Sequence, residues 1–332
     1  FNYYHQKNSI CYFYCLRNNQ LYCYEDCINM FIKKIKDWNR EEQVVVFKRK
    51  PSDEDDRKTI HELDERHLIY YDGICSEVYV YEPGNIEIKD HDIITISENG
   101  LITKACYSYD NEVDIFVTNH CNSNCIMCPL SEYSRRKKSS QYSQWLMKYI
   151  EALPKEVSFI NVTGGEPTLA GDQFLLVMDA LKNKFQKSGF QLLTNGRSVA
   201  DFRFLKNLLN HSPSGMLFAV PLHSSIPEIH DEITQSRGSF FQTDQGIKNL
   251  LKFNQRVEVR IVLSKVSIKT IEKTTAYIIK NYKGLSTVNF VAMEMMGNAV
   301  LNRNRVWMDY DSIFAKIQMA IDQLILNGYD VK

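Results

Sequence analysis

The sequence VTNHCNSNCIMCPLSE (residues 117–132) places three cysteines within eight positions, at Cys121, Cys125 and Cys128. It continues a short apolar run, DIFVT (114–118), that is typical of a buried β-strand. Packing does not require three closely spaced thiols, whereas thiolates are ligands for zinc and for iron–sulfur clusters. The stretch therefore indicates a ligand site at the end of a strand.

After Asp114 the chain alternates strand-like runs with amphipathic helical patterns. The predicted strands are 114–118, 157–163, 190–194, 216–222, 257–263 and 287–293. Helical patterns are clearest in 171–187 and in a final helix over about 309–327. Six strand–helix units in series predict an α/β fold with a parallel sheet, either open and doubly wound or closed into a partial barrel. In both, the active site lies at the carboxyl ends of the strands, where the cysteines also lie.

Residues 1–112 have a different pattern, with tyrosine-rich segments, a charged stretch at 48–67 and hairpin signals at Pro83-Gly84 and Asn99-Gly100. We expect a small accessory domain of mixed or mainly β character here, with the charged stretch as a solvated loop or an exposed helix. The predicted organisation is an N-terminal accessory domain over 1–112, an α/β core over 113–308, and a C-terminal helix over 309–332 that packs on the core.

The composition is that of a globular protein, with 44% hydrophobic residues and a formal net charge of +0. This balance argues against a dominant electrostatic attraction to nucleic acid or to a membrane surface. No apolar run approaches the about 18 residues of a spanning helix, and no signal-peptide pattern begins the chain. We expect a cytoplasmic protein with reduced cysteines, no nucleic-acid or membrane partner, and a trimmed start, because the first residue is not Met.

Two kinds of metal site fit the cysteine triplet, besides plain buried cysteines. Cys121, Cys125 and Cys128 with His120 make a Cys₃His zinc set, but structural zinc usually draws its ligands from two separated pairs, and no second pair follows Cys128. A [4Fe–4S] cluster held by three thiolates leaves one iron without a protein ligand. An open coordination position is typical of a catalytic site rather than a structural one.

The Cys-x₃-Cys-x₂-Cys spacing at the end of a first strand resembles the signature of the radical S-adenosylmethionine (radical SAM) superfamily. VTGGEPTL (162–169), after the second strand, is similar to its Gly-Gly-Glu-Pro motif, while Met127 stands where an aromatic residue is common. The resemblance implies a partial (βα)6 TIM-like barrel. It also implies a [4Fe–4S] cluster on Cys121, Cys125 and Cys128, with S-adenosylmethionine (AdoMet) as the second cofactor.

The same resemblance assigns further residues to AdoMet, namely Gly164, Gly165, Glu166, Pro167, Asn195, Ser224 and Arg260. The Gly-Gly-Glu-Pro turn binds the methionine amino group through its backbone in the family, where glycines permit close approach. Ser224 is a candidate for the ribose, and Arg260 for the carboxylate, because a guanidinium fork matches carboxylate geometry. Asn195 also fits a simple turn, Ser224 a loop hydroxyl, and Arg260 a structural ion pair.

Over 113–305 the sequence resembles the His-Xaa-Ser system radical SAM maturases, in particular the C-type member, in VTNHCNSNCIMC, TGGEPTLAGD, LLTNGR, VEVRIVL and AMEMMGNA. This implies reductive cleavage of AdoMet and a 5′-deoxyadenosyl radical that modifies a small repeat-bearing peptide. The implied partners are a reductase, flavodoxin or ferredoxin as electron donor, and a companion radical SAM maturase. Family members often continue into a cysteine-containing tail, so the end at Lys332 predicts truncation.

Two other functions stay open: a radical SAM enzyme acting on a nucleoside or cofactor precursor, and a zinc-stabilised binding module without catalysis. Cys11, Cys15, Cys23 and Cys27 fit either an auxiliary cluster or reduced thiols at helical i,i+4 spacing. RRKK (135–138) fits a solvated loop or a docking site for an acidic electron donor. His120 and His223 flank predicted active-site loops, where a non-catalytic histidine is the default.

Overall fold

The computed structural model describes residues 15–17, 20–22, 33–35, 38, 40–47, 59–62, 67–71, 76–82, 88–106, 111–136 and 142–332. The chain divides into two compact units. The first comprises Phe1–Asp114 and Gln141–Ser158, and the second comprises Ile115–Ser140 and Phe159–Lys332. Among the described helices, none has the length and apolar content that crossing a bilayer requires.

The described part of the first unit is built from short strands. They are β1 (Cys15–Arg17), β2 (Gln20–Tyr22), β3 (Lys33–Ile35), β4 (Gln43–Phe47), β5 (Thr59–Glu62), β6 (His67–Tyr71), β7 (Ser76–Glu82), β8 (Ile93–Ile96) and β9 (Leu101–Cys106). Strands β1 and β2 form an antiparallel pair, and the other seven close into a barrel in the order β3-β7-β6-β5-β4-β8-β9. Only β4 and β5 pair in parallel in this described sheet, so the predicted mixed or mainly β character is confirmed.

Apolar and aromatic side chains fill the core of this small barrel. They include Ile35, Trp38, Val45, Phe47, Ile60, Leu68, Tyr70, Ile94, Ile96 and Ile102. The hairpin predicted at Asn99-Gly100 is present between β8 and β9, with Gly100 at a left-handed φ of 80° that favours glycine. The predicted turn at Pro83-Gly84 lies outside the described residues.

The charged stretch at 48–67 was expected to be a loop or a helix, and this is wrong where the structure describes it. Thr59–Glu62 form β5 and His67 begins β6, because cross-strand pairing overrides the local polarity of the sequence. Of the four N-terminal cysteines, Cys15 lies in β1 rather than in a helix. Cys11, Cys23 and Cys27 lie outside the described residues, and nothing supports an auxiliary cluster.

The second unit is built around six strands with intervening helices. These strands are β10 (Glu112–Phe116), β11 (Phe159–Thr163), β12 (Gly189–Leu193), β13 (Leu217–Pro221), β14 (Arg256–Val262) and β15 (Thr287–Val291). They lie side by side in chain order, and each neighbouring pair from β11 to β15 is parallel. The predicted partial (βα)6 TIM-like barrel is thereby confirmed.

The described α-helices follow the predicted pattern closely. They are α1 (Glu132–Arg136), α2 (Tyr142–Ala152), α3 (Asp172–Lys184), α4 (Phe202–His211), α5 (Pro227–Thr234), α6 (Ser239–Lys252), α7 (Ile271–Asn281), α8 (Asn298–Leu301), α9 (Arg303–Val306) and α10 (Phe314–Leu326). The final helix begins later than expected, since a 3₁₀ turn occupies Asp311–Ile313. Beyond it, the chain end adds a parallel bridge from Val331 to Val288 at the free edge of β15.

Helix α2 belongs to the first unit, although it follows the cysteine loop in sequence. Trp145 Nε1 donates a hydrogen bond to Thr95 Oγ1 at 3.2 Å, and Lys148 Nζ donates to the Glu42 carbonyl oxygen at 2.6 Å. The helix of the first strand–helix unit is thus grouped with the small barrel. The domain boundaries inferred from the sequence remain a prediction.

The strands of the second unit alternate buried and inward-facing residues. In β14, Val257, Val259 and Ile261 are fully buried. Glu258 and Arg260 alternate with them and therefore lie on the face that turns into the barrel, where Glu258 is buried and Arg260 is partly exposed.

Gly246 in α6 sets how closely this helix approaches the turn after β12. A Cβ at Gly246 would stand 2.0 Å from the Gly196 carbonyl oxygen. Gly→Ala inside a helix ordinarily stabilises by about 1 kcal/mol, but here overpacking dominates. We expect Gly246→Ala to lower the free energy of unfolding by about 1–3 kcal/mol in urea denaturation. Gln245→Ala, at the exposed neighbouring position, serves as the control and should change the free energy of unfolding by no more than about 0.5 kcal/mol. A Gly246→Ala protein more stable than wild type would contradict the close contact between Gly246 and Gly196.

Candidate active site

The cysteine triplet lies in the loop after β10, at the carboxyl end of the first barrel strand. Cys121, Cys125 and Cys128 are partly exposed free thiols. Burial raises the pKa of each thiol, and Cys128 and Cys121 raise that of Cys125 further, which shows that the three groups lie near one another. Thiolates held this closely are unfavourable without a cation, so the loop is suited to bind a metal group.

The arrangement distinguishes between the two metal sites that the sequence left open. A zinc ion holds its ligands around a single centre and needs a fourth one here, whereas each thiolate of a [4Fe–4S] cubane binds a different iron. His120, the fourth residue of the zinc alternative, is exposed. The three cysteines by themselves therefore suit a cluster better than zinc.

Asn298, at the start of α8, fixes the cysteine loop from one side. Its backbone N–H donates to the Cys128 carbonyl oxygen at 2.9 Å. Its Nδ2 donates to the Cys125 carbonyl oxygen at 3.0 Å and to Asn124 Oδ1 at 2.9 Å. Asn302 adds a bond from Nδ2 to the Ile126 carbonyl oxygen at 3.1 Å. The AMEMMGNA segment thus holds the backbone of two cysteines, a role that the sequence did not reveal.

Gly297 brings this segment close enough to make those bonds. Its φ is 52°, in the left-handed region, and a Cβ there would stand 2.1 Å from the Pro129 carbonyl oxygen. The end of α5 pairs with the same loop, since the Asn124 and Ile126 N–H groups donate to carbonyl oxygens at the end of that helix, each at 2.9 Å. The loop is therefore built into the barrel rather than exposed above it.

The turn after β12 holds the loop from a further side. Asn195 Nδ2 donates to Asn122 Oδ1 at 2.7 Å. Arg197 Nη1 donates to the Asn122 carbonyl oxygen at 2.7 Å and to Ser123 Oγ at 3.0 Å. The structure thus brings the predicted Asn195 to the cysteine loop. Arg197 was visible in the sequence only as part of LLTNGR, and its contact with the loop was missed.

Both glycines of the Gly-Gly-Glu-Pro turn are required by a close approach of two backbones. A Cβ at Gly164 would stand 2.4 Å from the Thr118 carbonyl oxygen, and one at Gly165 would stand 2.4 Å from the His120 carbonyl oxygen. The Gly165 N–H donates to Thr118 O at 2.6 Å, and the Glu166 N–H donates to His120 O at 2.7 Å. Any side chain at either glycine would push the turn away from the cysteine loop.

Glu166 is fully buried and joins two turns through both carboxylate oxygens. Oε1 accepts from Thr168 N at 3.2 Å, Thr168 Oγ1 at 2.6 Å and Thr194 Oγ1 at 2.7 Å. Oε2 accepts from Asn195 N at 2.6 Å. Burial raises the pKa of Glu166, and these hydrogen bonds act in the opposite direction. Pro167 begins the 3₁₀ turn Pro167–Ala170 directly after it. Glu166 and Pro167 thus shape the turn beside the cysteine loop.

Ser224 and Arg260 have different surroundings in the structure. Ser224 is fully buried, with its hydroxyl 2.9 Å from Thr270 Oγ1 and accepting from the Ile226 N–H at 3.0 Å. Arg260 is partly exposed, with Nε 3.2 Å from Glu258 Oε1. Among the described residues this buried Nε finds no aligned hydrogen-bond partner. The Arg260 guanidinium is therefore the better placed of the two for a ligand.

His223 and His230 form a buried pair beside the barrel, with ring centroids 5.5 Å apart. Burial, together with His230, lowers the pKa of His223 to about 3. Burial likewise lowers the pKa of His230 to about 4. Both rings are therefore neutral near pH 7 and bring no positive charge to the site. We therefore keep the interpretation of His223 as a non-catalytic histidine.

Arg135, the first residue of RRKK, is buried rather than solvated, at 8% exposure. Its Nη2 donates to Asn124 Oδ1, on the residue directly before Cys125. The expected solvated loop is wrong at this residue, because a helix directs the side chain toward the cysteine loop. Positions 137 and 138 lie outside the described residues, so docking of an electron donor there stays a prediction.

Residues 115–278 match the model of the radical SAM superfamily. Both sequence motifs, the cysteine triplet and the Gly-Gly-Glu-Pro turn, lie within this matched stretch. A putative glycyl-radical enzyme activating enzyme of Methanocaldococcus jannaschii is 30% identical over 90 residues, which are 26% of this chain and 24% of that protein.

Solved structures share the fold at low sequence identity. SuiB of Streptococcus suis aligns with a TM-score of 0.52 at 15% identity, over 68% of this chain and 49% of SuiB. The protein anSMEcpe with bound AdoMet aligns with a TM-score of 0.51 at 18% identity, over 66% of this chain and 60% of anSMEcpe. The chain spans less than two thirds of either protein, and these likenesses show the fold alone.

Glu166→Gln tests whether the buried carboxylate joins the two turns. The substitution turns one of its two acceptor oxygens into a donor that faces N–H or O–H groups, which leaves buried donors unpaired. We expect the free energy of unfolding to fall by about 2–4 kcal/mol in chemical denaturation. The exposed Glu228→Gln, in the first turn of α5, is the control and should cost no more than about 1 kcal/mol. Equal losses in the two variants would contradict the assigned role of Glu166.

Proposed function

We propose that this chain is a radical SAM enzyme that cleaves AdoMet reductively at a [4Fe–4S] cluster and modifies a peptide. The observation that carries the proposal is the cysteine loop, since three partly buried, mutually close thiols lie at the carboxyl end of a partial barrel. No fourth cysteine lies in that loop. A cubane held there keeps one iron for a second cofactor.

Cys121, Cys125 and Cys128 would hold the cluster, and the surrounding chain fixes their backbone. When bound and reduced by an external donor, the cluster would supply the one electron needed to split AdoMet into methionine and a 5′-deoxyadenosyl radical, which would take a hydrogen atom from the substrate. Asn298 and Arg197 hold the loop backbone through the hydrogen bonds described above. Rigid placement of this kind is what the protein contributes when a cofactor carries the chemistry.

AdoMet would lie between the cysteine loop and the Gly-Gly-Glu-Pro turn. The ammonium group of its methionine needs acceptors, and backbone carbonyl oxygens of the turn, whose shape the buried Glu166 side chain fixes, would supply them. The Arg260 guanidinium would bind its carboxylate. Asn195 stands at the edge of the same loop. Ser224 stays a prediction for the ribose, although its hydroxyl already has two partners.

A peptide is the proposed substrate, and two neighbours by fold support it. SuiB has been solved with its precursor peptide SuiA, and anSMEcpe with AdoMet and the Cp18Cys peptide. The sequence resemblance to the C-type His-Xaa-Ser maturase narrows the proposal to a small repeat-bearing peptide. A reductase, flavodoxin or ferredoxin would supply the electron, and a companion radical SAM maturase is a further proposed partner.

Single substitutions of Cys121, Cys125 and Cys128 by Ala test the cluster assignment. Each removes one of three ligands, so we expect the reconstituted proteins to lose most of their iron and sulfide and all measurable 5′-deoxyadenosine production. Wild-type protein should bind about four irons and four sulfides per chain under anaerobic conditions. Iron analysis and chromatography of the AdoMet products give the two readouts.

Cys106→Ala is the matched control, because Cys106 is a buried cysteine at the end of β9 in the first unit. It should retain the iron and the 5′-deoxyadenosine of the wild-type protein. A colourless wild-type protein with one zinc per chain would contradict the proposal and favour the binding module. So would a triple Cys→Ala variant that still forms 5′-deoxyadenosine.

Arg260→Met tests the AdoMet carboxylate site. A hydrogen-bonded charge pair contributes about 1.5–3 kcal/mol, so affinity for AdoMet should fall about tenfold or more. Affinity for decarboxylated AdoMet should be the same in wild-type and variant, since that analogue lacks the group that Arg260 would bind. Arg256→Met, at the opposite end of β14, is the control. An equal loss for both ligands in Arg260→Met would contradict the assignment.

A further inference from the structure

Arg135 occupies a position that neither of the superfamily motifs includes. It lies in α1, seven residues after Cys128, and the first unit takes up the chain again at Gln141. Its side chain is 8% exposed, so the guanidinium is withdrawn from water. Its Nη2 donates to Asn124 Oδ1, on the residue that directly precedes Cys125. A permanently charged group is thus held against the cysteine loop.

The position of the guanidinium is fixed by a shared acceptor. Asn124 Oδ1 accepts both from Arg135 Nη2 and from Asn298 Nδ2, the latter at 2.9 Å. Asn298 also holds the Cys125 and Cys128 carbonyl oxygens. The guanidinium and the loop backbone therefore share one hydrogen-bond network, and Arg135 cannot swing away from the thiols without breaking it.

The charge of Arg135 lies beside the cysteine loop. Its Nη2 binds the side chain of the residue directly before Cys125, and Asn298, which shares that acceptor, binds the carbonyl oxygens of Cys125 and Cys128. Because the guanidinium is buried, water screens its charge little, and the charge acts on the loop more strongly than that of an exposed arginine would.

We propose that Arg135 sets the reduction potential of the cluster, as a fixed positive charge anchored by Asn124 beside the three cysteines. This inference rests on the cluster of the proposed function. Reduction adds one electron to the cluster, from the 2+ to the 1+ state, and a nearby positive charge stabilises the more negative state. Arg135 therefore raises the potential and makes the cluster easier for a low-potential donor to reduce.

A redox titration followed by electron paramagnetic resonance tests this directly on the reconstituted full chain, with titanium(III) citrate as the reductant. In Arg135→Gln we expect reduction to be at least tenfold less favourable, which is a potential at least about 59 mV more negative for a one-electron couple. Arg135→Lys keeps the charge and should stay within threefold of wild type. Arg256→Gln removes an equal charge at the far end of β14 and should not shift the potential.

The outcomes separate this inference from the cluster assignment. Two results would show that Arg135 does not act through its charge. One is a fully iron-loaded Arg135→Gln protein with the wild-type reduction potential. The other is an equal lowering of the reduction potential in Arg135→Gln and Arg135→Lys. If Arg135→Gln cannot be loaded with iron, Asn124→Ala is measured instead, because this variant releases the Arg135 guanidinium but keeps its charge. A reduction potential below that of wild type in Asn124→Ala supports the proposal, and an unchanged potential overturns it. Wild-type protein without a four-iron cluster overturns the inference together with the proposed function.

Discussion

The structure depends on one close contact between backbones, where the Gly-Gly-Glu-Pro turn lies against the strand end that leads into the cysteine loop. Gly164 and Gly165 have no side chains to keep Thr118 and His120 away, and two N–H···O bonds of 2.6 and 2.7 Å close the gap. Two neighbouring parallel strands are thereby joined at their carboxyl ends. The cysteine loop and the Gly-Gly-Glu-Pro turn are thereby held side by side.

Buried polar groups extend this contact around the barrel. Glu166 connects the turn to the end of β12, and from there Arg197 and Asn195 reach back to the cysteine loop. Asn298, which follows β15, donates a hydrogen bond to the Cys125 carbonyl oxygen and so holds the same loop from the sixth strand–helix unit. A buried carboxylate with several donors is costly to disturb, since each lost partner leaves an unsatisfied group. The cofactor site is therefore rigid because the barrel itself holds it, which suits a site whose chemistry belongs to its cofactors.

The sequence predicted those features that depend on local pattern. The six parallel strands follow from short apolar runs, the cysteine triplet from its spacing, and the hairpin at Gly100 from its turn residues. These signals lie within a few residues of one another, so no knowledge of the fold is needed to find them. The placement of the triplet at the carboxyl ends of the strands follows in turn from the strand order.

The remaining features depend on contacts between distant parts of the chain. Asn298 bonds the cysteine loop from more than 170 residues away, and nothing near it in the sequence indicates this. In the sequence Arg135 is the first of four consecutive cations, which favours a solvated position. In the structure, helix α1 directs its side chain inward. Thr59–Glu62 looked like part of a charged loop until pairing with β6 made it a strand. The grouping of α2 with the first unit is equally invisible in its amphipathic pattern.

Three thiolates would leave one iron of the cluster open for AdoMet. Electron–nuclear double resonance of the reduced protein, with AdoMet carrying ¹⁵N in the amino group and ¹³C in the carboxylate, tests this most directly. We predict hyperfine coupling from both labels to the cluster, and no such coupling when the unlabelled cofactor is used. A fully loaded, reduced cluster that shows no coupling to either label would contradict it.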